Sequence, residues 1–386
     1  MSIDAGAALA PMHSAHLVGP YDWDASLLPR AEYDARLGTL LGIGEALGLA
    51  GIIVHGNPRD HGTLAWVSGL VPRMGMPAWA FLAKGHAPRL GLAGLPTPRQ
   101  TWIEDMRLVR DLKQEIGDWL GAIGLASDKP ARIGLCGAAA LTEGAYQRLA
   151  AALGTIAIAD DHYGPLAELR QVKSEREQGL IARAAAMLET AFAAFGAVRG
   201  SGLRKAAIEA KRAAYAAGAQ DVVLLASLSD GGLPLPLDGI EEAESDPLHL
   251  SLAVRHAGYW ARGLASFGTA NSAAAACAAA ALSGLIELMR PRLSVASLTV
   301  AAPKLLGAYR AHPLTAAGAA AGIGLSLEEF PSEPNTPLVA GGVYALRLGA
   351  AGEGGDQALA SAMIALNADG AHVLWRSSAP GRSLSP

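Results

Sequence analysis

Hydrophobic and polar positions alternate strictly from Leu248 to Arg255, with Leu248, Leu250, Leu252 and Val254 on one side and His249, Ser251, Ala253 and Arg255 on the other. That period of two predicts a half-buried strand. His256-Ala257-Gly258 predicts a turn, and a second strand follows with Trp260, Arg262, Leu264 and Ser266 on one face. Upstream the pattern changes. Tyr33, Leu37, Leu40, Leu41 and Leu47 recur at helical spacing within Ala31–Leu49, and Gly51–Val54 is a short apolar run ending in a polar loop, His55–Gly62. Further strands are predicted at Ala78–Leu82, Arg89–Leu92, Arg132–Leu135 and Ile156–Ala159, with helices at Asp111–Ile123 and Leu141–Leu153. This alternation predicts an α/β domain with a mixed sheet. Residues 1–30 have no periodicity and are expected to form an arm over the surface.

Ser174 followed by Glu177 is a capping box, and the helix it opens carries Leu180, Ala184, Met187, Leu188, Ala191 and Phe195 on one side. Next come a helix at Arg204–Gly218, a strand at Asp221–Ala226, a Pro/Gly-rich loop at Ser227–Gly239, and the alternating hairpin. Helices at Asn271–Met289 and Val295–Tyr309 precede strands at Val343–Gly349 and Ala360–Leu366, expected to be the last two.

The Gly258-Tyr259-Trp260 step after an apolar alternating strand resembles the central hairpin of the creatinase/aminopeptidase P family, which includes creatinase, prolidase, aminopeptidase P and methionine aminopeptidase. Leu169-Arg170-Gln171-Val172-Lys173-Ser174 resembles that family's domain junction, and Gly322-Ile323-Gly324 through Pro331 resembles its glycine-histidine-glycine segment. The resemblance covers about residues 31–376. It implies an α/β (α+β) protein with a creatinase-type N-terminal domain over 1–168 and a pita-bread domain over 169–386, assembled as a homodimer.

The same resemblance places the family's five metal-ligand positions at Ser251, Arg262, Ala321, Arg347 and Ser361. None is a carboxylate or an imidazole, whereas a dinuclear hydrolytic site needs both. No metal and no other cofactor is therefore expected. Creatinase manages without metal, but its histidine falls in the loop Leu233-Pro234-Leu235-Pro236-Leu237 and its hairpin glutamate falls at Leu264, so its activity is not supported either.

Two lost acids have become Arg262 and Arg347, which inverts the sign of the cleft; guanidinium groups recognise carboxylate or phosphate in pairs of hydrogen bonds. One reading is a pocket for a small anionic molecule, with Ser251, Arg255, Trp260 and Ser361 completing its wall. The other is that each arginine pairs with an internal acid such as Glu328 or Glu329. His249 is a candidate general base or a hydrogen-bonded histidine at a strand start. Glu328 and Glu329, if buried together, would have one pKa pushed upward and could serve as an acid. Arg59 and His61 lie in the loop that, in dimeric relatives, approaches the neighbour's active site; an ordinary solvated loop is the alternative.

Composition narrows the partners. The chain has 386 residues, 51% of them hydrophobic and 17% charged, with a net charge of −4. That balance gives no reason to expect nucleic acid or membrane as a partner. Cys136 and Cys277 have no metal-type spacing, and the N-terminus has no export pattern, so a cytoplasmic protein is expected. Two functions follow: a metal-independent protein of this fold binding a small anion, as a hydrolase or lyase by acid–base chemistry if it is an enzyme at all; or an inactive pseudo-peptidase acting as a binding or scaffold subunit.

Overall fold

The computed structural model describes residues 22–72, 76–94, 98–125, 130–159, 163–227, 235–236, 247–268, 272–316, 318–329 and 335–377. Most of the expected N-terminal arm and most of the Ser227–Gly239 loop, including Leu233, Pro234 and Leu237, lie outside that set.

After α1 (Arg30–Ala46), the first sheet is built from β1 (Gly51–Gly56), β2 (Ala78–Leu82), β3 (Arg89–Leu92), β4 (Asp105–Leu108), β5 (Arg132–Cys136) and β6 (Ala157–Ala159). Their spatial order is β4-β3-β2-β1-β5-β6. Strand β1 runs parallel to β5 and antiparallel to β2. Every residue of β1 and β2 is buried, because helices cover both faces. On one face α3 (Leu112–Ala122) and α4 (Glu143–Leu153) pack Ile116, Trp119 and Leu149 against Ile53, Trp79 and Phe81. On the other, α1 and α2 (Gly62–Ser68) meet Ile52 and Val54. The polar loop expected through Gly62 is thus shorter: β1 continues to Gly56 and α2 begins at Gly62. Neither α2 nor β4 was legible, since a seven-residue buried helix and a four-residue strand hold too few positions to show a period.

Helices α5 (Tyr163–Gln171), α6 (Glu175–Val198) and α7 (Leu203–Ala216) lead to the second half. Both arms of the capping box form: Ser174 Oγ accepts from Glu177 N at 3.2 Å and Glu177 Oε2 accepts from Ser174 N at 3.0 Å. The remaining oxygen of Glu177 takes the Tyr259 hydroxyl at 2.8 Å and lies 3.3 Å from Arg36. A local cap therefore also ties α1, α6 and the hairpin together.

The second sheet has the order β10-β9-β7-β8, from β7 (Asp221–Ser227), β8 (Leu235–Pro236), β9 (Leu248–His256) and β10 (Tyr259–Phe267). His256 ends β9 opposite Tyr259, so the turn is only Ala257-Gly258, with φ of 48° and 86°. Both residues lie in the left-handed region, as a twist-matched two-residue hairpin requires. Leu248, Leu250, Leu252 and Val254 pack on α6 and α7; the opposite, concave face carries His249, Ser251, Arg255 and Arg262.

After α8 (Ala273–Leu288) and α9 (Val295–Leu306), a third sheet contains β11 (Arg310–Ala311), β12 (Ala320–Gly322), β13 (Val343–Ala351), β14 (Gln357–Asn367) and β15 (Gly370–Arg376). A short α10 (Pro313–Ala316) lies between β11 and β12. The chain does not end its pairing at the two expected strands; β15 returns along β14. Leu346, Leu348, Ala360, Ala362 and Ile364 join the core formed with α8 and α9, which leaves Arg347 and Ser361 on the side facing the hairpin.

Two serines join the sheets. Ser361 Oγ accepts from Leu264 N at 2.6 Å and donates to Leu264 O at 2.8 Å, while Ser266 Oγ accepts from Leu359 N at 2.7 Å. Close approach is allowed by Gly263, where a Cβ would sit 2.4 Å from the Trp375 ring.

Candidate functional site

The five positions singled out from the sequence converge on the concave face. Ser251 lies opposite Leu264, whose backbone bonds to Ser361, which in turn lies opposite Arg347. Arg262 projects from the same face of β10, and Ala321 pairs with Ala345 two residues from Arg347.

Arg262 Nη1 donates to Glu328 Oε1 at 2.8 Å; the Arg262 side chain is 18% exposed and that of Glu328 is 65% exposed. Arg262 Nη2 is buried with no hydrogen-bond partner among the described residues. Arg347 Nε donates to the Gly318 carbonyl at 3.0 Å. Its guanidinium is held below its ordinary pKa by burial first and by the positive charge of Arg262 second, with Glu328 opposing. The Glu328 carboxyl is lowered chiefly by its hydrogen bond from Arg262. Two guanidinium groups and one carboxylate therefore share this part of the cleft, a net positive cluster with one unused donor.

Glu329 behaves differently from the expectation for a glutamate pair. Its side chain is 4% exposed and lies between Arg170 and Lys173. Lys173 Nζ donates to Oε2 at 2.7 Å, Ser326 N donates to Oε1 at 3.0 Å, and Arg170 Nη2 also donates to Oε1. Burial raises the carboxyl pKa, but Arg170 and Lys173 outweigh it and bring it down to about 2. Neither glutamate is pushed upward, because each has found a cation; the acid expected of this pair is not formed. Arg170 also bonds Thr63 at 3.0 Å, so the cluster bridges α5, α2 and the segment after β12. Gly324 is required here: a Cβ would lie 2.6 Å from Glu329 Oε2.

His249 is 1% exposed. Its Nδ1 is 2.7 Å from Ser266 Oγ, and its ring meets His312 edge-on at 4.8 Å. Ser266 Oγ also accepts from Leu359 N at 2.7 Å, so the ring is tied to the seam through this hydroxyl. Burial, then His312, lowers the pKa to about 4. His249 is thus a neutral imidazole enclosed at the seam between the sheets, the hydrogen-bonded histidine rather than a solvent-facing base.

Arg255 does not join Arg262. Four residues along the strand from Ser251, it is buried, lies 3.5 Å from Asp221 and sits over the Trp260 ring at 5.1 Å. Trp260 is correspondingly enclosed. His61 is also buried, against its own chain: its pKa falls to about 3 through burial and then the charge of Arg255. It is the N-cap residue of α2 and is not part of a solvated loop; Arg59 is exposed. Ser361 has both hydroxyl functions committed to Leu264. The sequence reading assigned no site role to Arg170, Lys173, His312, Ser266 or Asp221. Arg170 and Lys173 stood in the junction motif, but nothing local indicates a partner 156 or more residues away.

No family model matches the sequence, and no curated protein does. Solved structures do. The X-Pro aminopeptidase of Thermotoga maritima superposes with a TM-score of 0.71 at 14% identity, over 89% of this chain and 98% of that one. The dipeptidase PepE of Mycobacterium ulcerans gives 0.70 at 19% identity over 90% and 97%, and the prolidase of Pyrococcus horikoshii 0.69 at 13% over 89% and 99%. The chain has the pita-bread fold. Matches at this identity establish architecture and leave activity to the side chains.

The dinuclear metal that the fold implies can be tested against those side chains. Two of its positions hold guanidinium groups, which have no lone pair to give a cation; one holds alanine; and Ser361 is engaged with the backbone. Among the described residues there is no group of three or more His, Cys, Asp or Glu that could hold an ion. The donor set does not fit a metal centre.

Proposed function

We propose that this pita-bread protein uses its concave face as a metal-independent recognition site for a small anionic molecule. The supporting observation is the Arg262–Glu328–Arg347 cluster. Two buried or half-buried guanidinium groups confront each other across the position where the fold otherwise places cations. Among the described residues, the carboxylate that faces them there is Glu328, the most exposed member. A ligand carboxylate or phosphate displaces Glu328 into solvent, takes the bond it made to Arg262, and satisfies the free Nη2 as well. Ser251 and Ser361 border the site. No acid–base step is assigned: Glu329 is locked as a carboxylate and His249 is enclosed. A cytoplasmic homodimer is part of the same reading, and sedimentation velocity tests the assembly.

A second reading has a specific observation behind it. The 2.8 Å Arg262–Glu328 bond neutralises one arginine internally, as expected of an inactive pseudo-peptidase whose side chains fill a disused cleft and which serves as a scaffold.

Titration calorimetry with inorganic phosphate, acetate, succinate and citrate separates the two. Saturable binding of at least one anion, weakened at least tenfold by Arg262→Ala and by Arg347→Ala, supports the recognition site. Absence of binding, or equal binding by wild type and the double variant, overturns it. Stoichiometric manganese, cobalt or zinc in the purified protein overturns metal independence.

A further inference from the structure

The first sheet holds a cavity that the concave-face site does not use. Parallel strands β1 and β5 end at Gly56 and Cys136, and the helices α3 and α4 start beyond that edge of the sheet. The carboxyl edge of parallel strands is where open α/β sheets accommodate ligands. Between those helix starts lies a cavity of about 670 Å³, within the range of small-molecule sites. Trp79, Val109, Leu112 and Leu141 form apolar walls, and Arg110, Lys113 and Arg148 stand around it.

Three observations give the cavity a chemistry. First, the three cations are exposed, and none makes an ion pair among the described residues. The one acid of the lining, Asp111, caps α3 by accepting from Lys113 N at 2.9 Å. Second, the apolar walls are continuous with the core under Trp79, whose ring meets His55 at 4.5 Å. Third, His55 lines the cavity, is 3% exposed, and its Nδ1 is buried without a hydrogen-bond partner among the described residues. In either tautomer that nitrogen is a buried polar atom aimed at the cavity lining, a lone pair in need of a donor or an N–H in need of an acceptor. Leaving a buried polar nitrogen unpaired is costly, so a ligand hydroxyl here gains by satisfying it.

We propose that this cavity is a second ligand site, for a small hydrophobic carboxylate that carries a hydroxyl group. The body rests on Trp79, Val109, Leu112 and Leu141, the carboxylate lies among Arg110, Lys113 and Arg148, and the hydroxyl, which can donate or accept, bonds to His55 Nδ1. The site is independent of the Arg262–Arg347 cluster and shares no residue with it.

The probe is para-hydroxyphenylacetate, titrated calorimetrically into the full chain, with para-hydroxyphenylacetamide as the uncharged analogue and phenylacetate as the analogue without hydroxyl. Titrated in the Arg262→Ala/Arg347→Ala background, where the concave face no longer takes a carboxylate, the probe is expected to show one-site saturable binding, weakened at least tenfold in the amide, several-fold in phenylacetate, and at least tenfold by adding Lys113→Ala/Arg148→Ala. Both side chains are on the surface, so the variant folds, which its thermal transition verifies. Any further binding that wild type shows and the Arg262→Ala/Arg347→Ala variant lacks belongs to the concave face and is insensitive to Lys113→Ala/Arg148→Ala. Absence of saturable binding at millimolar probe overturns the proposal. So does binding indifferent to Lys113 and Arg148, or binding lost only with Arg262 and Arg347.

Discussion

Replacing Glu329 by glutamine keeps its shape and removes its charge, and the consequence can be worked from the geometry. In the native protein the carboxylate faces Lys173 Nζ at 2.7 Å and Arg170 beside it, all three side chains nearly enclosed. Its pKa is about 2 against an ordinary 4.5. That difference corresponds to on the order of 3 kcal/mol of folding free energy at neutral pH. The sign is fixed by the direction. Above pH 4.5 both folded and unfolded chains carry the carboxylate, and the full contribution is present. As pH falls from 4.5 toward 2, the unfolded chain takes up the proton first, so the contribution is lost. Glu329→Gln also leaves two buried cations facing a neutral amide, an uncompensated charge that costs about 3–5 kcal/mol. Urea unfolding followed by tryptophan fluorescence should therefore show a loss of about 3 kcal/mol or more at pH 7. The gap between variant and wild type should narrow below pH 4.5 by up to about 1.4 kcal/mol per pH unit. A variant within about 0.5 kcal/mol of wild type at pH 7, the ordinary effect of a surface substitution, would refute the reasoning. Parallel pH profiles would refute it too.

Ser361→Ala removes both side-chain bonds to Leu264 at the seam, leaving a partly buried backbone N–H and C=O without these partners. A loss of about 2–4 kcal/mol in the same unfolding assay is expected, with faster amide exchange at Leu264. His249 is neutral in the fold with a pKa of about 4, while the unfolded chain takes up its proton near 6.5. Its contribution is thus complete above pH 6.5 and declines toward pH 4, by on the order of 3 kcal/mol. His249→Gln should flatten that part of the stability profile, and an unchanged slope would show that this imidazole is charged in the native state.

Local rules carried much of the architecture. Strict alternation from Leu248 to Arg255 fixes which residues share a face, because successive side chains on a strand point to opposite sides whatever the rest of the chain does. The Ser174–Glu177 box needs only four consecutive residues. Arg262 and Arg347 could be placed at the cleft only through the family resemblance, which names the residue at a position and not its partner. Elements too short to show a period, such as α2 and β4, stayed hidden, as did the return strand β15.

Partnership was decided by tertiary structure alone. Sequence offered Glu328 and Glu329 as equivalent neighbours; folding sends one to the half-exposed Arg262 and the other to the enclosed Arg170 and Lys173, more than 150 residues upstream. It also brings His312 to His249 and closes His61 against its own chain. A residue type states which charge or lone pair is present. Whether that group recognises a ligand or is already satisfied depends on distance and on the water removed around it, and both are set only when remote segments meet.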